Sequence, residues 1–117
     1  MYLRHEIGKK EENIATRYLK KLGYTIVERN FIALQGEIDI IARDRKEWVF
    51  IEVKTRTNTK FGSPVDSVNK LKQKHLINTI KYYLYYKHLE KQIVRIDVIE
   101  VYLHNDKYKI NHIKQII

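Results

Sequence analysis

The chain has 117 residues, 44% of them apolar, and carries 23 Lys and Arg against 14 Asp and Glu for a formal charge of +9. That is one domain's length, able to bury roughly two-thirds of its unfolded surface, and its nine Tyr, three Phe and one Trp exclude a disordered tail. The absence of cysteine excludes disulfide scaffolds, thiolate zinc sites and cysteine nucleophiles. No run nears the roughly 20 apolar residues of a membrane helix, and the start lacks a signal-peptide stretch. The expectation is a soluble, cytoplasmic, basic protein with a single domain over residues 1–117.

Along the chain, Ile7, Ile14, Ala15, Tyr18, Leu19 and Leu22 form one apolar stripe at helical spacing, which predicts a helix from about Ile7 to Leu22, ended by Gly23. Tyr24 to Phe31 reads as a first strand. Two strongly β-like runs follow, Glu37 to Ala42 and Trp48 to Thr55, joined by Asp44-Arg-Lys-Glu47 as a four-residue hairpin turn. Residues 58–64 read as loop. A second helix is expected from about Asp66 to Tyr86, started by Asp66 or Ser67. Its core stripe is Leu76, Ile77, Ile80, Tyr83 and Leu84, with Lys70, Lys74 and Lys81 on the opposite side. Val94 to Leu103 and Tyr108 to Ile113 are the last strands, around a turn at Asn105-Asp106. The order α-β-β-β-α-β-β predicts an α/β fold, a mixed β-sheet flanked by helices.

Positive charge is concentrated. Between Lys54 and Lys91 nine basic residues face two acidic ones, Asp66 and Glu90, so this segment supplies +7 of the +9. Such a field fits a polyanionic partner, nucleic acid in particular; a solvated lysine face is the alternative.

The chemistry lies in the central hairpin. Side chains alternate along a strand, so Glu37, Asp39 and Ile41 share one side of the first arm, and Phe50, Glu52, Lys54 and Arg56 share one side of the second. If Arg43 faces Trp48, Asp39 pairs with Glu52 and Glu37 with Lys54. Facing carboxylates repel and weaken a sheet, more so when partly buried. A shared divalent cation would compensate: two carboxylates, a backbone carbonyl and water suit Mg²⁺ or Mn²⁺. Lys54 beside it could orient a water or neutralise charge that develops on phosphorus. The other reading is a solvated sheet face with each acid matched to a basic neighbour.

Gly36-Glu-Ile-Asp-Ile-Ile-Ala42 followed by Val49-Phe-Ile-Glu-Val-Lys-Thr-Arg56 resembles the YraN-like family of uncharacterised bacterial proteins. That family is similar in turn to archaeal Holliday junction resolvases and the restriction-endonuclease-like, PD-(D/E)xK, superfamily. The resemblance extends over Gly8, Glu12, Ala15, Tyr18-Leu19, Gly23-Tyr24, Arg29-Asn30, Gly62, Lys72, Tyr83-Leu84 and Arg95-x-Asp97-Val98. It implies a restriction-endonuclease-like domain and a Mg²⁺-dependent endonuclease acting on DNA, branched or structured, or a non-catalytic binding module on the same fold. It further implies Asp39 and Glu52 as metal-binding acids, Val53 as a carbonyl ligand, Lys54 as the catalytic lysine and Glu12 as a helix-borne acid completing the site. Glu37 is read as Lys54's ion-pair partner or a supporting acid near the metal. One position departs from the family pattern: Glu11 stands where a Gly usually precedes the helix acid, so either the helix starts late or it approaches the sheet differently.

Arg56, Lys60, Lys70, Lys72, Lys74 and Lys81 are the expected phosphate contacts. Arg95 and Asp97 share a strand face and are expected to form an internal ion pair. The five His residues show no metal-ligand spacing and are read as surface or capping residues. No phosphate loop, hydrolase elbow or dinucleotide fingerprint occurs, so no organic cofactor is expected. Tyr82, Tyr83, Tyr85 and Tyr86 are read as divided between core and an interface, with base stacking as the alternative, and a homodimer is compatible with two sites acting on one substrate.

Overall fold

Helix α1 (Tyr2–Lys21) is followed by three strands, β1 (Thr25–Ala33), β2 (Gly36–Asp44) and β3 (Glu47–Arg56); α2 (Lys70–Tyr86), β4 (Val94–His104) and β5 (Lys107–Ile113) complete the fold. The computed structural model describes residues 2–56 and 70–116, with side chains from residue 10 onward. Ile7's place in the stripe, the loop at 58–64 and the start of the second helix at Asp66 or Ser67 lie outside the described residues or side chains. The order α-β-β-β-α-β-β is the expected one. The five strands form one mixed sheet in chain order, with β3 and β4 parallel and every other neighbouring pair antiparallel. That parallel pair is the one whose connection carries a helix, as a crossover between parallel strands requires.

The sheet separates two apolar cores. On one face α1 packs Ile14, Ala15 and Leu19 against Ile40, Ala42, Val49, Ile51, Ile99 and Val101. On the other, α2 packs Leu76, Ile80 and Tyr83 against Ile38, Ile41, Trp48 and Phe50. Each fully buried Leu or Ile contributes roughly 1.5–3 kcal/mol relative to exposure. Leu22, expected in the α1 stripe, is instead 51% exposed. The helix ends at Lys21, and Gly23 at φ 95 turns the chain away. There the N–H of Gly23 donates to the Lys20 carbonyl and that of Tyr24 to the Leu19 carbonyl, a Schellman closure with Leu19 and Tyr24 in one core.

Helix α2 closes the same way, with His88 N–H donating to the Tyr85 carbonyl and Leu89 N–H to the Leu84 carbonyl. Here a His rather than a Gly occupies the left-handed position, at φ 58. Because His88 is exposed and left-handed backbone costs a residue with a Cβ about 1 kcal/mol, His88→Gly is expected to stabilise the fold by that order. A rise in Tm of a few degrees would show it.

The central hairpin keeps the expected register, with Arg43 opposite Trp48. Its turn is shorter than predicted: Asp44 pairs with Glu47, leaving only Arg45 and Lys46 in the loop, with Arg45 at φ 60. Shortening by one residue at each side preserves parity, so the side chains of the paired segments, 40–44 and 47–51, stay on their predicted faces. Arg95 fixes this end, its guanidinium reaching Asp44 Oδ2 and Glu47 Oε1 at 3.2 Å each.

At the opposite end the regular alternation breaks. The described β2–β3 pairing stops at Ile40–Ile51. Ile38 and Ile40, two residues apart, lie in different cores. The break coincides with Asn30 at φ 54, which sits between the β1–β2 pairs Arg29–Ile40 and Phe31–Ile38. Asn tolerates this left-handed backbone better than most residues. The hairpin's outer end therefore leaves β3 and folds onto α2, where Gly36 approaches so closely that a Cβ would stand 3.1 Å from Thr79 Oγ1.

Candidate active site

Asp39 sits where β2 parts from β3. With the ladder interrupted, the N–H of Val53 donates to Asp39 Oδ2 at 2.8 Å. The side chain thus replaces a backbone acceptor and is itself held in one orientation. Asp39 is buried, and burial together with the Glu52 charge pushes its carboxyl up to about 8, against the Val53 hydrogen bond, which favours the charged form. Glu52 is raised as well by burial, with Lys54 opposing. The two acids therefore repel one another within a poorly solvated space.

On β3 the face that carries Trp48 and Phe50 into the α2 core continues with Glu52, Lys54 and Arg56. Where the aromatic packing ends, a cavity of about 170 Å³ opens, lined by Gly36, Glu37, Glu52, Lys54, Lys72, His75 and Leu76. The expected pairing of Lys54 with Glu37 is corrected: Lys54 Nζ lies 3.2 Å from Glu52 Oε1. The broken alternation of β2 removes the directly opposed Glu37–Lys54 pair, whereas Glu52 is Lys54's same-face neighbour two residues back. Glu37 is exposed, lines the cavity and adds its charge to those raising Asp39 and Glu52.

Glu12 belongs to the same group electrostatically. Its carboxyl is raised by burial, opposed by Arg29, whose Nη2 lies 3.5 Å from Glu12 Oε1, and its charge in turn raises Asp39. The departure at Glu11 does not delay the helix, which runs from Tyr2. Glu11 is 1% exposed, and neither carboxylate oxygen has a hydrogen-bond partner among the described residues. Asp39, Glu52, Glu12 and Glu37 thus share one field. Among the described residues, no three His, Cys, Asp or Glu side chains converge to hold an ion by themselves, so a cation here would draw on two carboxylates, a main-chain carbonyl and water or phosphate oxygens.

Of the expected phosphate contacts, Lys72 reaches the cavity rim, and its charge acts on Glu52. Lys70, Lys74 and Lys81 are exposed along α2. Arg56 is tied to Glu100, Nε to Oε2 at 3.1 Å, and Lys60 lies outside the described residues. His75 was not legible as a lining residue, since a lone helical His carries no spacing signal.

The expected Arg95–Asp97 pair is present and bidentate, Nε to Oδ1 at 3.0 Å and Nη2 to Oδ2 at 3.1 Å. The surface assignment of His112 is corrected: its ring bridges Asp97 Oδ2 at 2.7 Å and the Tyr18 hydroxyl at 3.0 Å. Burial alone would raise Asp97, but His112, Arg95 and the N–H of Gln115 together hold its carboxyl below the usual range. This buried network joins α1, β4 and β5 beneath the sheet end opposite the cavity.

A model of the uncharacterised protein family UPF0102 matches residues 11–101 of this chain. The chain belongs to that family. It is the YraN-like family that the hairpin residues resemble, and the match includes both arms of the hairpin, Glu12 and α2. The chain is 47% identical over 110 residues to a UPF0102 protein of Clostridium perfringens, covering 92% of this chain and 90% of that protein. A UPF0102 protein of Clostridium botulinum is 49% identical over 111 residues, covering 93% and 91%. One of Caldicellulosiruptor saccharolyticus is 41% identical over 113 residues, covering 95% and 96%. No helix of the described chain is long and apolar enough to cross a membrane.

Proposed function

We propose that this UPF0102 chain is a restriction-endonuclease-like, cytoplasmic, metal-dependent endonuclease that hydrolyses phosphodiester bonds in DNA, branched or structured DNA included. The observation that carries the reading is buried Asp39 repelled by half-buried Glu52, which together with Lys54 and Lys72 of the basic helix α2 lines a cavity. Two carboxylates kept at this cost, with no neutralising ion pair to Asp39 among the described residues, fit a divalent cation, with Asp39, Glu52 and the Val53 carbonyl as its protein ligands. A Mg²⁺ or Mn²⁺ ion bound there would polarise a phosphate oxygen and lower the pKa of a water.

The chain's own groups then have distinct tasks. Val53 N–H fixes Asp39. Glu52 anchors the Lys54 ammonium at the cavity, where it can meet the negative charge that grows on the phosphate. Glu12, anchored by Arg29, supports the acidic side. Lys72 and the exposed α2 lysines hold the nucleic-acid backbone.

The test is incubation of the folded protein with supercoiled plasmid, flap and four-way-junction DNA, with Mg²⁺ or Mn²⁺ and with chelator. Cleavage that needs the ion is expected. Failure on every substrate at high protein concentration overturns the proposal. A binding module without chemistry is the second reading, favoured by the absence of a three-donor cluster among the described residues. It predicts salt-sensitive DNA binding that survives Asp39→Ala and Glu52→Ala.

A further inference from the structure

Helix α2 displays a feature that the acidic cavity does not use. Tyr82, Tyr85 and Tyr86 are 43%, 70% and 59% exposed, while Tyr83 among them is buried. His75, Tyr82 and Tyr86 recur at i, i+7 and i+11, which places them on one helical stripe. His75 lines the acidic cavity, so the stripe leads from the cavity along the helix for about 16 Å at 1.5 Å per residue. The Tyr82 and Tyr86 rings are parallel within 5°, with centroids 6.1 Å apart. Phe31, beside the hairpin break, lies 6.3 Å from Tyr82. Lys87 holds its ammonium 5.3 Å over the Tyr86 ring, and Lys74 and Lys81 are exposed on the same helix.

Aligned, half-exposed aromatic rings bordered by cations match one ligand chemistry well: flat bases strung on a phosphate backbone. A second copy of the chain fits less well. It would bring an identical lysine-rich helix, from a segment carrying +7, against the first. We infer that Tyr82 and Tyr86 form a base-stacking platform for single-stranded nucleic acid, running toward the acidic cavity. The substrate class of that cavity is then nucleic acid with an unpaired tract. The substrate half of this inference rests on the nuclease reading; the stacking half does not.

Fluorescence anisotropy with a labelled oligothymidine and a duplex of equal length, in chelator at about 0.1 M salt, tests the platform. The wild type is expected to favour the single strand. Replacing both residues, Tyr82→Ala with Tyr86→Ala, should weaken single-strand binding about 10- to 100-fold and duplex binding less than twofold. Tyr82→Phe with Tyr86→Phe, which keeps the ring faces, should retain wild-type affinity. Unchanged single-strand affinity in the alanine variant, or equal losses on both ligands, would overturn the inference. So would an alanine variant that passes from dimer to monomer in sedimentation while still binding single strands, since a second copy would then be the occupant. Tyr-dependent binding without any cleavage sinks the nuclease reading alone; ion-dependent cleavage with Tyr-independent binding sinks the platform alone.

Discussion

Asp39→Asn is expected to reduce ion-dependent cleavage by about 10²–10³-fold or more, while making the ion-free protein more stable at neutral pH. The two effects share one cause. In the fold, burial and the charge of Glu52 raise the Asp39 carboxyl from an ordinary 3.8 to about 8. Between those values the folded state holds a proton that the unfolded chain has released. Stability from this group is therefore full below about pH 4 and is lost as pH rises through about 8. Asn is neutral throughout and avoids that loss, a gain of about 2–4 kcal/mol near pH 7. Thermal denaturation of both proteins in chelator between pH 4 and 9 checks it: the wild type should lose stability across this range relative to the variant. Mn²⁺ at 100 times its Kd should restore about 2.7 kcal/mol to the wild type and little to the variant. Identical pH profiles for the two proteins would show that Asp39 is not a strained, ion-seeking acid.

The second large effect belongs to the other end of the sheet. Asp97→Asn is expected to destabilise the fold by about 3 kcal/mol, with Tm falling on the order of 10 °C. Asp97 is fully buried and accepts from Arg95, His112 and the N–H of Gln115. Removing its charge leaves the Arg95 guanidinium buried beside a neutral amide, with Asp44, Glu47 and the Tyr24 hydroxyl as remaining partners. The pH dependence runs opposite to that of Asp39. The folded Asp97 carboxyl lies below 3.8, so its contribution is present above about pH 4 and fades as pH falls through the folded value. The wild type should lose this increment in acid, and the variant should not, which urea denaturation at pH 3 and pH 6 would resolve.

Much of this molecule was legible in its residues. Apolar spacing marked seven elements and their order, because a helix repeats every 3.6 residues and a strand every two, and those periods are local. Turn parity placed Arg43 opposite Trp48 even though the turn was two residues shorter than expected. The face of β3 that carries Glu52 and Lys54 followed from alternation alone. Arg95 and Asp97 were legible for the same reason, being two residues apart on one strand. Where spacing was extrapolated past an element's end, as for Leu22, it failed, because Gly23 redirects the chain.

The pairings across elements belonged to the tertiary structure. Whether Lys54 meets Glu37 or Glu52 depends on where β2 leaves β3, and that departure is tied to one left-handed Asn30 and to the packing of Ile38 on α2. His112 reaches Asp97 and Tyr18 only because β5 closes over β4 and α1 lies beneath, a convergence of residues up to 94 positions apart. Which tyrosines of α2 stay exposed was settled by the sheet covering Tyr83 and not its neighbours. Sequence by itself determined the periodic frame and the chemistry each face could carry. Partners, burial and charge repulsion required the elements to meet, since Coulomb and desolvation energies depend on distances that local spacing does not contain.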